Sequence, residues 1–531
     1  MKTKSFLAMS LMALLAAGCA SDEITSNDGE NGSGIAQGPA YVALNITLPT
    51  SNGSRADYTE NFDQGDGTEY NVDKMTITFY TDATCTTQKG TTVLSYTKDN
   101  LSWESPASPA NGITTKILLP VEEVDFSGDA WAVVEINKPE SGVTMNGKVA
   151  TTTAETLVGG TGKNSFYMTN AANHGGTNAV KVTSYTTKAA AQANYENIYV
   201  ERAVAKVQLS VPATGNWSAT GNTYTSPSDE DNAEAQIRID AWALDITNKK
   251  TYLMRNFGGT GTYTNDASNY ARFYGTQDYR TYWAQDPNYN DTDWGSGEGY
   301  LGDFIYIATD KVTNTVGNSD YCLENTFDTK HQKQNETTRV VVKATYAPKG
   351  ITLTNPGTTW HTIGNSGTAY TTDNLQTTIK TLLGATEDVT LQNVSASGTI
   401  TIEKGTFKVG TADLSDEQLK KIQDNLGKTL TTYWQGVCYY PVRIKHCGEY
   451  ECPWTAGNDY TTGTPEMEKK YLGRYGVVRN NWYKLTINKV TQPGTTGIPS
   501  TPDKADDEQN YYLQAQIQIL DWAVRNQSVE L

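Results

Sequence analysis

The stretch "YVALNITLPTSNGSR", residues 41–55, decides the fold. Val42, Leu44, Ile46 and Leu48 alternate with Tyr41, Ala43, Asn45 and Thr47. A period of two with one apolar side is the mark of a strand that buries one face. Pro49, Asn52, Gly53 and Ser54 end it in a loop, and Arg55 stands in that loop. Between Lys4 and Lys74 there is no other Lys or Arg, while ten acidic residues lie from Asp22 to Asp73. A trypsin-like cut in this region therefore has one place to fall.

Further short strands extend the pattern. "KMTITFYT", "TTVLSYT", "TTKILLPV", "DAWAVVEI" and "ENIYVERAVAKVQLSV" lie before residue 212. In the last, Ala203, Ala205, Val207, Leu209 and Val211 line one face. A second half starts near residue 212, with "AEAQIRIDAWALDI", "RVVVKATYA", "CYYPVRIKH" and "NWYKLTINKV" as strands. Short alternating strands between turns predict β-sandwiches. Two short helices interrupt the second half. Asp373 with Gln376, and Ser415 with Gln418, form capping-box patterns, and Gly384 and Gly427 stop the two helices. Residues 491–509, "TQPGTTGIPSTPDKADDEQ", read as a Pro/Gly/acid-rich linker.

The final stretch, "YYLQAQIQILDWAV", is a strand with a change of phase. Leu513, Ala515, Ile517 and Ile519 share one face, then Leu520, Trp522 and Val524 take over. A bulge or bend near Ile519 and Leu520 accounts for the flip. A strand behind a linker at the chain's end can reach away from its own domain.

The first residues read "MKTKSFLAMSLMALLAAG". Lys2 and Lys4 precede an apolar run too short to span a bilayer, which is a signal-peptide pattern. Cys19 follows "LAAG", close to a lipobox with Ala16 in the usual Leu position. Lipidation at Cys19 and a polar, acidic tether to residue 40 are expected. The whole chain of 531 residues carries a net charge of −17, which argues against nucleic acid and anionic membrane surfaces as partners.

Little in the sequence points to chemistry. His174, His331, His361 and His446 are scattered, and none stands in a nucleophile motif. "NDTDWGSGEG" (290–299) lacks the full ligand spacing of a calcium loop. Cys85, Cys322, Cys438, Cys447 and Cys452 are odd in number; one bridge among the last three is feasible, and His446 with Cys447 and Cys452 matches no standard zinc spacing. Eleven Trp and 32 Tyr fit sandwich cores better than sugar platforms. No catalytic, cofactor-binding or metal residue is assigned, and an enzyme is not expected.

"VERAVAKVQL" (200–209) is similar to a signature of the Bacteroidales fimbrillins, the subunits of type V pili. "WALDITNKKTYLMRN" (242–256), "RTYWAQDPNY" (280–289), "YCLENTF" (321–327), "VCYYPVRIKH" (437–446) and "RYGVVRNNWYKLTINKV" (474–490) agree with it. Within the family they look most like the major subunit of a minor fimbrium. The resemblance implies an all-β protein with minor α content: two transthyretin-like β-sandwich domains with a donated C-terminal strand. It implies export to the outer membrane as a palmitate-bearing lipoprotein, a cut by an arginine-specific protease, and a place in an adhesive surface fimbrium linked to virulence.

Carried onto this chain, the signal peptide is 1–18 and the lipidated tether 19–40. The propeptide is 41–55 with Val42, Leu44, Ile46 and Leu48 filling a groove, and the cut falls between Arg55 and Ala56. The N-terminal domain is 56–211, the C-terminal domain 212–490, and linker and donor strand 491–531. Leu513, Ala515, Ile517, Ile519, Trp522 and Val524 would then fill the groove of another copy. The implied partners are further copies, anchor and tip subunits, the protease, and host or bacterial surface ligands. The alternative reading is a tip adhesin or a surface glycan-binding lipoprotein.

Overall fold

The computed structural model describes residues 41–48, 67–91, 93–101, 114–120, 128–171, 178–219, 221–256, 286–290, 302–326, 331–364, 367–447, 472–504, 506, 513–520 and 526–527. The protein is all-β, with four short α-helices among the described residues.

The first sheet runs in the order Leu94–Thr97, Lys74–Tyr80, Ala130–Ile136, Met168–Asn170, Glu196–Arg202, Tyr41–Thr47, Thr114–Pro120. Alternate residues of these strands meet in one core. Met75, Ile77, Phe79, Val134, Ile136, Ile198 and Val200 lie there with no exposed surface.

Two further sheets enclose a second core. One is ordered Ser319–Leu323, Val204–Ser210, Trp482–Val490, Leu513–Leu520, Asn526–Gln527. The other is Thr223–Thr225, Gln236–Asp245, Arg339–Ala347, Val437–Arg443. Val207, Leu209, Leu485 and Ile487 from the first face Ile239, Trp242, Val342 and Tyr440 from the second, as period-2 strands in a sandwich must.

The strands Glu196–Arg202 and Val204–Ser210 are separated only by Ala203. One ribbon thus serves both cores: its first half lies in the first sheet and its second half in the next.

A third core sits in the connection between Arg339–Ala347 and Val437–Arg443. The helices Thr372–Leu383 and Asp416–Asn425 bring Leu375, Ile379 and Ile422 against Ile363, Phe407 and Leu430. Ser415 and Gln418 cap the second helix reciprocally. The first helix differs from expectation. Its N-cap is Thr371, whose Oγ1 accepts from Asn374 N at 3.2 Å, and Asp373 lies in the first turn, where a carboxylate meets the positive helix end. Gly384 stops it at φ 68°.

Residues 491–504 and 506 form a strap across the second sandwich. Thr495 and Tyr439 exchange backbone hydrogen bonds of 3.0 and 2.8 Å, and Ile498 packs against Ala243, Val312, Val341 and Tyr439. Cys85, Cys322 and Cys438 are free thiols; Cys452, one of the three cysteines among which a bridge is feasible, lies outside the described residues.

Candidate strand-exchange site

The first strand, Tyr41–Thr47, is an interior strand. Leu44–Thr47 run parallel to Glu196–Tyr199, and Tyr41–Thr47 run antiparallel to Pro120–Thr114. Tyr41 also exchanges backbone hydrogen bonds with Tyr185 at 2.7 and 2.8 Å. Val42, Leu44 and Ile46 have no exposed surface and Leu48 keeps 2 %. The four form one row of the first core beside Ile117, Ile198 and Val200. Asn45, on the opposite phase, donates to Asn197 Oδ1 at 2.8 Å. Among the described strands, Thr114–Pro120 pairs only with this one. Removing Tyr41–Thr47 would therefore open a groove with two unpaired backbone edges and an apolar floor.

The strand Leu513–Leu520 runs antiparallel to Trp482–Val490, with Leu513 opposite Val490, Ala515 opposite Ile487, Ile517 opposite Leu485 and Ile519 opposite Tyr483. The ladder's irregularity lies in the partner strand, between Ile487 and Lys489. There Trp217 Nε1 donates to Asn488 O at 2.9 Å, which holds the extra residue out of the ladder. The described strand runs to Leu520, and residues 521–525, over which the expected change of phase continues, lie outside the described residues. Asn526–Gln527 then pair antiparallel with Gln518 and Ile517. Cys19, Arg55, Ala56, Trp522 and Val524 lie outside the described residues.

Between the two cores lies a cluster of buried charges that the sequence reading left out. Arg255 holds Glu201 with two bonds, Nε at 3.0 Å and Nη2 at 2.7 Å, and neither side chain is exposed. Arg479 pairs with Glu324 at 3.2 Å and donates to Tyr252 O at 2.7 Å and Leu253 O at 3.1 Å. Lys206 meets Glu69 at 2.6 Å, with its Nζ 3.7 Å over the Trp482 ring. Tyr321 donates to the same Glu69 carboxylate at 2.5 Å.

Burial pushes the Glu201 carboxyl up against the pull of Arg255. Burial also pushes Glu69 up, but Arg202 and Lys206 outweigh it and hold that carboxyl below its ordinary value. Paired and hydrogen-bonded in this way, the charges join the two cores without leaving an isolated ion.

All of these charges but Glu69 come from the stretches that carry the resemblance: Glu201, Arg202 and Lys206 from "VERAVAKVQL", Arg255 from "TYLMRN", Glu324 from "YCLENTF", Arg479 from "RYGVVRNN". The missed signal was a charge inside an apolar run. Lys206 takes the phase opposite Ala205 and Val207, which reads as solvent-facing, yet it is 1 % exposed.

The described geometry is a buried interior strand, a C-terminal strand on another sheet, and paired charges between the cores. Residues 431–528 match the family model described as "Major fimbrial subunit protein type IV, Fimbrillin, C-terminal". That stretch, at the end of the chain, is similar to the C-terminal region of fimbrillins.

Three solved structures are similar over most of their own length. A fimbrilin from Porphyromonas gingivalis W83 is 15 % identical, with 91 % of this chain and 98 % of that chain covered at a TM-score of 0.33. A candidate cell adhesion protein from Parabacteroides distasonis ATCC 8503 is 11 % identical, with 92 % and 97 % covered at 0.39. A fimbrial assembly protein from the same strain is 10 % identical, with 58 % and 86 % covered at 0.28. No curated protein matches the chain in sequence.

Proposed function

We propose that this chain is a structural subunit of a cell-surface fimbrium, exported as a lipoprotein through Cys19, cut between Arg55 and Ala56, and polymerised by strand exchange. The cut releases Tyr41–Thr47 together with the lipid, so the anchor serves transport only. The C-terminal strand, through Leu513, Ala515, Ile517, Ile519, Trp522 and Val524, enters the vacated groove of the next copy. The observation that carries this reading is the interior position of the first strand. Its four apolar side chains are almost wholly buried, and the same short segment continues to the lone Arg55.

Exposing those four side chains costs roughly 1.5–3 kcal/mol each, and the open backbone edges add to the need for a replacement. A head-to-tail contact of this kind does not close on itself and builds a filament. The partners are other copies, anchor and tip subunits, and an arginine-specific protease.

The test is N-terminal sequencing of assembled fimbriae beside two variants. Mature chains should begin at Ala56; Arg55→Ala should remain a monomeric precursor, and Cys19→Ala should fail to reach the cell surface. Assembled chains that begin at Ala20, or that keep residues 41–48, overturn the reading.

A further inference from the structure

We infer that residues 491–506 stay fastened to their own subunit during polymerisation, so that the receiving copy must dock its groove beside the loop 331–337 of the donor. The inference rests on the strand-donation reading and adds the surface at which two copies meet.

Composition makes this segment look like a tether, but its attachments run along its whole length. Asn232 Nδ2 donates to Thr491 O at 2.7 Å, Tyr440 OH to Gln492 O at 3.0 Å, and Tyr433 OH to Gly494 O at 3.1 Å. Gly494 passes so close to the sheet that a Cβ there would meet Tyr439 O at 2.4 Å. Thr495 and Tyr439 form a two-bond bridge. Arg339 Nη2 then holds Pro499 O at 2.7 Å, while its Nε pairs with the buried Asp245 at 2.8 Å.

The far end is held by the loop 331–337. Lys333 pairs with Asp503 at 2.8 Å. Gln334 N donates to Lys504 O at 2.8 Å, and Asp506 N donates to Gln332 O at 2.9 Å. Asp506 is 2 % exposed. Ile498 covers Val341 and Tyr439 on the outer face of their sheet. Peeling the strap would uncover that face and break the Arg339 and Lys333 attachments, with no replacement supplied by the groove of another copy.

The donor's reach is therefore counted from Asp506 and not from Thr491. Six residues, 507–512, separate Asp506 from Leu513. Seven extended steps span no more than about 25 Å. The groove between Thr114–Pro120 and Glu196–Tyr199 of the receiving copy must lie within that distance of the donor's Asp506. The partner that fits against the loop 331–337 and the strap's end is thus a second copy of this chain, presenting its groove mouth.

Two variants of the full-length chain test this after activation with an arginine-specific protease. In Thr495→Cys with Tyr439→Cys, the bridged pair suits a disulfide, which forms across Cα separations of about 4.4–6.8 Å. Peptide mapping identifies the bond. The oxidised protein should give polymer ladders as long as those of wild type. Ladders that appear only after reduction would mean that the strap must peel, and the inference fails.

The second variant deletes residues 508–511. It should fold, be processed and still accept a strand, but form no ladders, and a six-residue Gly/Ser replacement should restore them. Ladders at the wild-type rate from the deletion would also overturn the inference. A chain truncated before Leu513 serves as the control. If it ladders as well as wild type, strand donation itself is wrong, a result distinct from a ladder that depends on the disulfide.

Discussion

The first strand and the C-terminal strand hold similar amounts of backbone pairing and differ in position. Tyr41–Thr47 lie between two neighbours, with seven residues in register on one side and four on the other. Leu513–Leu520 have eight residues in register with Trp482–Val490 and two with the short return strand. Backbone hydrogen bonds alone would leave an exchange close to balanced. The groove adds an apolar row whose four occupants keep 0–2 % exposure. At roughly 1.5–3 kcal/mol each, filling that row is worth on the order of 10 kcal/mol. On the strand-donation reading, side-chain burial, rather than added ladder, would drive the C-terminal strand into the vacated interior slot.

The largest expected effect comes from removing the donor. Truncation before Tyr511 should abolish laddering while leaving a folded, processed subunit that accepts a strand and caps polymers of full-length protein. Gels of mixed wild-type and truncated chains check this; truncated chains spread along full-length ladders would break the comparison.

Next in size is Ile46→Asp, which puts a carboxylate in the first core without a partner. The precursor should lose several kcal/mol. The processed form, having lost that strand, should be unchanged. Urea melts of both forms decide it, and equal losses would mean that the strand does not leave.

Arg255→Met should cost about 3–5 kcal/mol by stranding the buried Glu201, and it should do so equally before and after processing. Adding Glu201→Leu should recover most of the loss. A defect confined to the precursor would tie the charged joint to the exchange and sharpen the comparison in a new direction.

The smallest effect concerns the third core. His361 is buried between Thr432 and Thr372, at 2.9 and 3.0 Å, and burial lowers its pKa to about 4. The unfolded chain takes up a proton near pH 6.5 that the folded chain refuses. Stability from this residue is thus fully present above about pH 6.5 and is lost as pH falls toward 4. His361→Asn should flatten that part of a stability–pH curve, with ladder formation at neutral pH unaltered. Superimposable curves would exclude the histidine as the source.

The strands were legible where burial is one-sided, because alternation then carries the phase directly. Val42, Leu44, Ile46 and Leu48 are the clearest case, and all four are buried. The helix at Ser415 was legible because its cap is a local pattern.

The charged joint was not legible from periodicity. Glu201, Arg255, Glu324 and Arg479 are drawn together from four separate segments, and local alternation cannot reveal a partner more than fifty residues away. The strap was hidden for a related reason. Pro and Gly fit a solvated tether as well as a segment pressed flat on a sheet, and only partners such as Tyr439 and Arg339 distinguish the two.

The ribbon shared by the two cores carries a mechanical consequence. Glu196–Arg202 borders the groove, and Val204–Ser210 runs parallel to Trp482–Val490, the strand that leads into the strap. In a filament built by strand exchange, tension enters a subunit at its groove and leaves through its C-terminal segment. That pull runs along the axes of the two parallel strands, so it loads their ladder in shear. Hydrogen bonds in shear resist together, whereas a peeled edge gives way one bond at a time. In such a filament the route of the chain itself would make each subunit a tensile link.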